Sequence, residues 1–166
     1  MMKFVADGML GKLARWLRLG GHDVIYIGDL AVPPSEQDDT LLHIAKSEGR
    51  VLLTCDIDLY RRARRAGISG VFIQSNNVVN QLVEVSRRGG SRIRIRPENS
   101  RCPICNGLLR KASKTKIVGK VPSAVLEKYS EFWECRSCGK IYWPGTHWES
   151  ILEMAQQYTK IIGSEG

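Results

Sequence analysis

Two sets of side chains in this sequence have the types and spacing for metal chemistry. The first is sulfur. Four of the five cysteines form two pairs, CPIC (Cys102, Cys105) and CRSC (Cys135, Cys138), with 29 residues between Cys105 and Cys135. A two-residue gap lets one tight turn present both sulfurs, and two such turns supply the four thiolates of a tetrahedral zinc. In a reducing compartment, pairs of this kind hold metal more often than they form disulfides. Asn106-Gly107 and Gly139 follow the pairs, and they suit the left-handed backbone of a metal knuckle. Four sulfurs leave no open coordination position, so this zinc is expected to fold the segment and not to catalyse. The fifth cysteine, Cys55, receives no chemistry.

The second set is oxygen. Asp7 follows the apolar run FVA, Asp56 follows VLLTC, and Asp38 begins the helix that leads into that second run. Any one of these acids alone is ordinary: a helix cap or the start of a turn. Several at equivalent junctions are different, because carboxylates gathered at one edge repel one another unless a divalent cation neutralises them. Hard oxygen ligands suit magnesium or manganese, which polarise a phosphodiester and activate water for in-line attack.

The charge of the chain favours such a substrate. Its formal net charge is +8, which suits an acidic polymer. Lys12, Arg15 and Arg18 recur every third residue and could hold successive phosphates of a single strand. Arg61, Arg62 and Arg65, in RRARR, lie just beyond Asp56 and extend the basic surface. In the cysteine segment, Arg101, Arg110, Lys111, Lys114, Lys116 and Lys120 offer further contacts. The aromatics of KIYW and HW, from Lys140 to Trp148, are expected mainly to pack that segment onto its neighbour. No apolar run approaches the roughly 20 residues of a membrane span, and the start of the chain lacks a signal-peptide layout. A soluble cytoplasmic protein is expected.

These side chains need elements to hold them. Phe4–Ala6, Val24–Ile27, Val51–Thr54 and Val71–Ile73 read as buried strands. Leu10, Leu13, Ala14 and Leu17 form a helical apolar stripe that ends at Gly20-Gly21. Ser35 with Asp38 suggests a capping box before a helix carrying Leu41, Leu42 and Ala45. A short helix over Leu59–Ala66 and a longer one over Val78–Arg88 complete four alternations of strand and helix. That pattern implies an α/β fold with a mostly parallel sheet, covered by helices on both faces. Ligands of such sheets bind outside the carboxyl ends of the strands, where Asp7 and Asp56 stand. Arg92–Arg96 alternates as an edge strand would. A boundary is expected near residue 97, giving units over 1–97 and 98–166. In the second unit, KIVGKV reads as strand, Val125–Tyr129 as a helical turn, and Thr146 with Glu149 as the capping box of a final helix.

Taken together, FVADGMLGKLARWLRLGGHD, DDTLLHIAKSEGRVLLTCDIDL, RCPICNG and ECRSCGKIYWPGTHW resemble the Mut-seven C-terminal RNase family. Its members are similar to PIN-domain nucleases with a zinc ribbon appended. The resemblance covers nearly the whole chain and implies a metal-dependent ribonuclease. Carried over by position, the catalytic acids are Asp7, Asp38 and Asp56, with Asp58 as a fourth ligand and Asp39 as the substitute for Asp38 if the register shifts by one. The family usually has a basic residue where this chain has Cys55, so no phosphate contact is expected there. Two other readings stay open: an RNA- or ribosome-binding protein without turnover, and the toxin of a nuclease toxin–antitoxin pair.

Overall fold

The structure, a computed structural model, describes residues 1–90 and 92–163. The end of the unit expected over 98–166, residues 164–166, lies outside the described residues.

The four apolar runs form one parallel sheet: β1 (Lys3–Ala6), β2 (Asp23–Tyr26), β3 (Val51–Thr54) and β4 (Gly70–Phe72), in the order β2-β1-β3-β4. Side chains alternate across a strand, so neighbours in the chain serve opposite cores. Phe4, Ala6, Leu53 and Val71 pack with Leu13 and Leu17 of α1 (Gly11–Leu19) and Leu82 of α4 (Val78–Gly89). Val5 and Leu52 face the other way, onto Leu41 and Ala45 of α2 (Gln37–Glu48) and Leu59 and Ala63 of α3 (Ile57–Arg65). Gly21 turns the chain from α1 into β2 with φ of +87°. A Cβ there would also lie 2.7 Å from the Asn99 carbonyl oxygen, so the turn needs glycine.

The cysteine segment builds a small antiparallel sheet from β5 (Leu109–Ala112), β6 (Phe132–Cys135) and β7 (Ile141–Tyr142), in that order. Between β5 and β6 lie the short helices α5 (Lys114–Ile117) and α6 (Ser123–Lys128). The last helix, α7 (Thr146–Gly163), follows this sheet in sequence yet returns to the first core through Ile151, Tyr158 and Ile162. Its Tyr158 hydroxyl meets Ser86 Oγ at 2.6 Å and accepts the Ile93 amide at 3.0 Å.

Four local expectations need correction. Arg92–Arg96 keeps its alternation, with Ile93 and Ile95 inward, but forms no strand. The Tyr158 hydroxyl takes the amide that a ladder would have used. KIVGKV is helix and turn, since only Ile117 is buried and Gly119 adopts φ of +83°. Ser35 does not cap α2, because Pro34–Glu36 already forms a 3₁₀ turn whose Glu36 amide bonds to Pro33. Asp38 and Asp39 thus lie in the first turn of α2 with no capping duty. Thr146 is likewise inside α7, and the Gly145 carbonyl accepts the amides of Trp148 and Glu149. Among the described residues, no helix is long and apolar enough to cross a membrane.

Candidate functional site

Asp7 and Asp56 lie just beyond the carboxyl ends of adjacent strands. β1 and β3 are hydrogen-bonded neighbours, and the Asp7 amide donates to Leu53 of β3 at 3.1 Å. Asp7 is only 8% exposed. Its Oδ1 accepts the Met9 amide at 3.0 Å, and its Oδ2 accepts the Thr54 hydroxyl and the Cys55 amide. Thr54 Oγ1 in turn accepts the Asp56 amide at 3.0 Å. One buried threonine therefore links the Asp7 carboxylate to the Asp56 backbone amide. Asp56 Oδ1 caps α3 by accepting the amides of Asp58 and Leu59, at 2.8 and 3.1 Å.

The first turn of α2 approaches the same edge. A Cβ built on Gly8 would lie 3.9 Å from Gln37 Oε1, next to Asp38. The two acids of that turn differ in their partners. Asp39 pairs with Arg62 of α3 at 2.7 Å, whereas Asp38 has no hydrogen bond or ion pair among the described residues. The Arg62 pKa is raised, chiefly by its hydrogen bond to Asp39 and further by the charges of Asp39 and Asp38. Asp58 points away: its side chain is 86% exposed and lies 3.8 Å from Arg61. The structure does not draw three of these carboxylates to within 4.8 Å of one another; among the described residues only the cysteines form such a group.

The cysteine cluster is compact. The four Sγ atoms lie within 4.8 Å of one another, with Cys102–Cys138 at 3.8 Å and Cys105–Cys135 at 3.4 Å. Sulfurs about 2.3 Å from a tetrahedral zinc stand about 3.8 Å apart, far from a disulfide's bond length. The four are positioned to bind a metal ion. Asn106 and Gly139 take φ of +70° and +77°, as a knuckle after each pair requires. Burial opposes charge on Cys135, but the amides of Cys138 and Ser137, with neighbouring thiols, lower its pKa to about 7. The Tyr142 hydroxyl lies 3.0 Å from Cys102 Sγ, and burial and that contact raise its own pKa.

Among the basic residues, Arg18 departs from expectation. It is 3% exposed and spends its guanidinium on the protein itself. Nε and Nη2 donate to the Val24 carbonyl, Nη2 also to Asp29, and Nη1 to the carbonyls of Pro103 and Ile104. Asn106 completes the seam, accepting the Val24 amide at 3.0 Å and donating to Asp23 at 2.8 Å. The edge strand β2 is thus covered by the first knuckle, which blocks pairing with another chain. Arg18 is a structural stitch and is withdrawn from the phosphate-contacting set. Lys12 and Arg15 remain exposed on α1, and Arg61, Arg62 and Arg65 remain exposed on α3.

Two residues of the edge carry no sequence signal. Thr54 looks like a strand end, and its bridging role depends on the β1–β3 register. Glu84 lies inside α4 without distinguishing neighbours in the chain, yet its carboxylate accepts the amides of Gln74 and Ser75 beyond β4. Burial, with the charges of Asp7 and Glu84, raises the Cys55 pKa. That shift disfavours the thiolate form.

The fold and its cysteine cluster define a class: a parallel α/β unit with acids beyond its strand ends, and a four-cysteine group positioned to bind a metal ion. The family model of the Mut7-C RNAse domain matches residues 2–155, and the chain belongs to that family. No curated protein and no solved structure matches the chain. Membership points to a nuclease-like function with RNA as substrate.

Proposed function

We propose that the protein hydrolyses RNA phosphodiester bonds in a magnesium- or manganese-dependent reaction at the carboxyl edge of the parallel sheet. One observation carries this reading: Asp7 and Asp56 stand just beyond the ends of neighbouring strands, with Thr54 linking the Asp7 carboxylate to the Asp56 backbone amide, in a chain of an RNase family. Asp7, Asp56 and Asp38 would hold the ion. The residues fit it, because magnesium is usually held by one or two carboxylates and completes its shell with water and substrate phosphate. Once bound, the ion supplies Lewis-acid polarisation of the phosphodiester.

The chain's own residues do the rest. Thr54 and the Cys55 amide fix the orientation of Asp7. The amides at the start of α3 fix Asp56. Lys12, Arg15 and Arg65 draw in the phosphate backbone, while Asp58, turned toward solvent beside Arg61, is left out of the ligand set. Zinc at Cys102, Cys105, Cys135 and Cys138 keeps the small sheet folded. A second reading, RNA binding without turnover, is favoured by the absence, among the described residues, of three carboxylates within ligand distance of one another.

Cleavage of a labelled RNA panel, with and without magnesium or manganese, separates the two. Metal-dependent cleavage by wild type that is lost in Asp56→Asn is expected. RNA binding with no cleavage under any metal supports the second reading.

A further inference from the structure

All four tryptophans of the chain line one groove. It runs between α1, the β5-β6-β7 sheet and the start of α7, and has a volume of about 630 Å³, within the range of ligand sites. Trp16 and Trp133 are almost fully buried, whereas Trp143, Trp148 and Tyr142 are half-buried and keep part of their surface open. Packing, the role expected for these aromatics, therefore uses only part of their surface. Three cations, Lys12, Arg15 and Lys140, line the same groove, and Lys140 Nζ lies 5.6 Å from the Tyr142 ring centre. None of the lining residues is acidic, in a chain with 17 acidic residues.

Flat apolar faces beside unopposed cations suit a ligand that is both planar and anionic. Unpaired nucleotides meet that description, since every base has a face to stack and carries a phosphate. A duplex does not, because its bases are already stacked on one another. The groove also adjoins a hollow that borders on Asp7. Lys12 and Met154 line it and an adjoining hollow shared with Met9, Asn76 and Asn77. The Met9 amide is the one bonded to Asp7.

We infer that this groove holds unpaired bases of single-stranded RNA and feeds the strand toward the carboxyl edge of the parallel sheet. The identity of the polymer rests on the ribonuclease reading. Because every tryptophan lines the groove, intrinsic fluorescence reports its occupancy directly.

The test uses the full zinc-loaded chain without magnesium or manganese, titrated with three probes. These are a short oligouridylate, an abasic strand with the same number of phosphates, and a duplex of equal length. Oligouridylate should quench the tryptophans and bind about tenfold or more tightly than either control. Trp148→Leu should erase most of that preference, and Trp148→Phe should restore it. Equal affinity for the abasic strand, with unquenched wild-type tryptophans, would overturn the inference even if a variant misfolded. Base-dependent binding without metal-dependent cleavage would leave the groove standing and refute the ribonuclease reading. Cleavage without base dependence would do the reverse.

Discussion

Arg18→Met removes the guanidinium from the seam while keeping most of the aliphatic stem. In wild type, Val24 accepts two hydrogen bonds from Arg18, at 3.0 and 2.9 Å, and Pro103 and Ile104 accept one each, at 3.0 and 3.4 Å. A buried carbonyl left without a partner costs about 1–3 kcal/mol. Val24 is fully buried and bears that cost in full, whereas Pro103 and Ile104 lie nearer solvent and bear part of it. Asp29 is 45% exposed in its side chain, so its ion pair adds well under about 1 kcal/mol. The total is about 3 kcal/mol, more than a hundredfold in the folding equilibrium. Urea unfolding of the zinc-loaded variant should show that loss, while the salt dependence of RNA binding keeps its slope. An unchanged unfolding midpoint, with a slope shallower by about one unit, would show that Arg18 holds a phosphate and that the seam is misread.

Further expectations concern the metal, the basic surface and pH. Purified protein should carry about one zinc per chain, and Cys135→Ser should abolish zinc binding and unfold the β5-β6-β7 sheet; zinc-free protein with both pairs oxidised, by metal analysis and thiol titration, would contradict this. Replacing Lys12 and Arg15 together by Ala should flatten the salt slope of RNA binding by up to about two units, one per lost phosphate contact; an unchanged slope would make that face a solvated surface. His22 is held neutral, since burial and then the N-terminal charge lower its pKa from 6.5, and its Nδ1 accepts the Met2 amide. Its contribution to stability is therefore full above about pH 6.5 and is lost as pH falls through the lowered value. Urea midpoints measured against pH should fall less steeply below that point in His22→Gln than in wild type.

What was legible in the sequence was what local chemistry decides. The apolar runs at Phe4, Val24, Val51 and Val71 became the strands of a parallel sheet, because runs buried on both faces need helices on both sides. The cysteine spacing was equally readable, since two tight turns can be counted along the chain. Features that depend on distant partners were not. Arg18 has the i, i+3 spacing of a surface stripe, and only its contacts 85 and 86 residues away turn it inward. Arg92–Arg96 has the alternation of a strand, but α7 returns in space and its Tyr158 hydroxyl takes the Ile93 amide. Nothing within VLLTCD marks Thr54 as the link between the Asp7 carboxylate and the Asp56 amide, because the link needs β1 alongside β3. The final helix, grouped by sequence order with residues 98–166, shares its core with the first sheet.

Asp56→Asn tests the central claim most directly. Asp7→Asn is the less clean variant: three donors point at the Asp7 carboxylate, and an amide nitrogen in place of one oxygen would oppose at least one of them. Asparagine at position 56 keeps the oxygen that caps α3 and is itself a good N-cap. It removes only the charge that a divalent ion needs. Single-turnover cleavage of RNA in magnesium or manganese, with the fold monitored by circular dichroism, should slow by on the order of a thousandfold in Asp56→Asn, with RNA affinity retained. Metal-dependent cleavage at the wild-type rate by the folded variant would show that the carboxylate is only a helix cap and that the reaction takes place elsewhere.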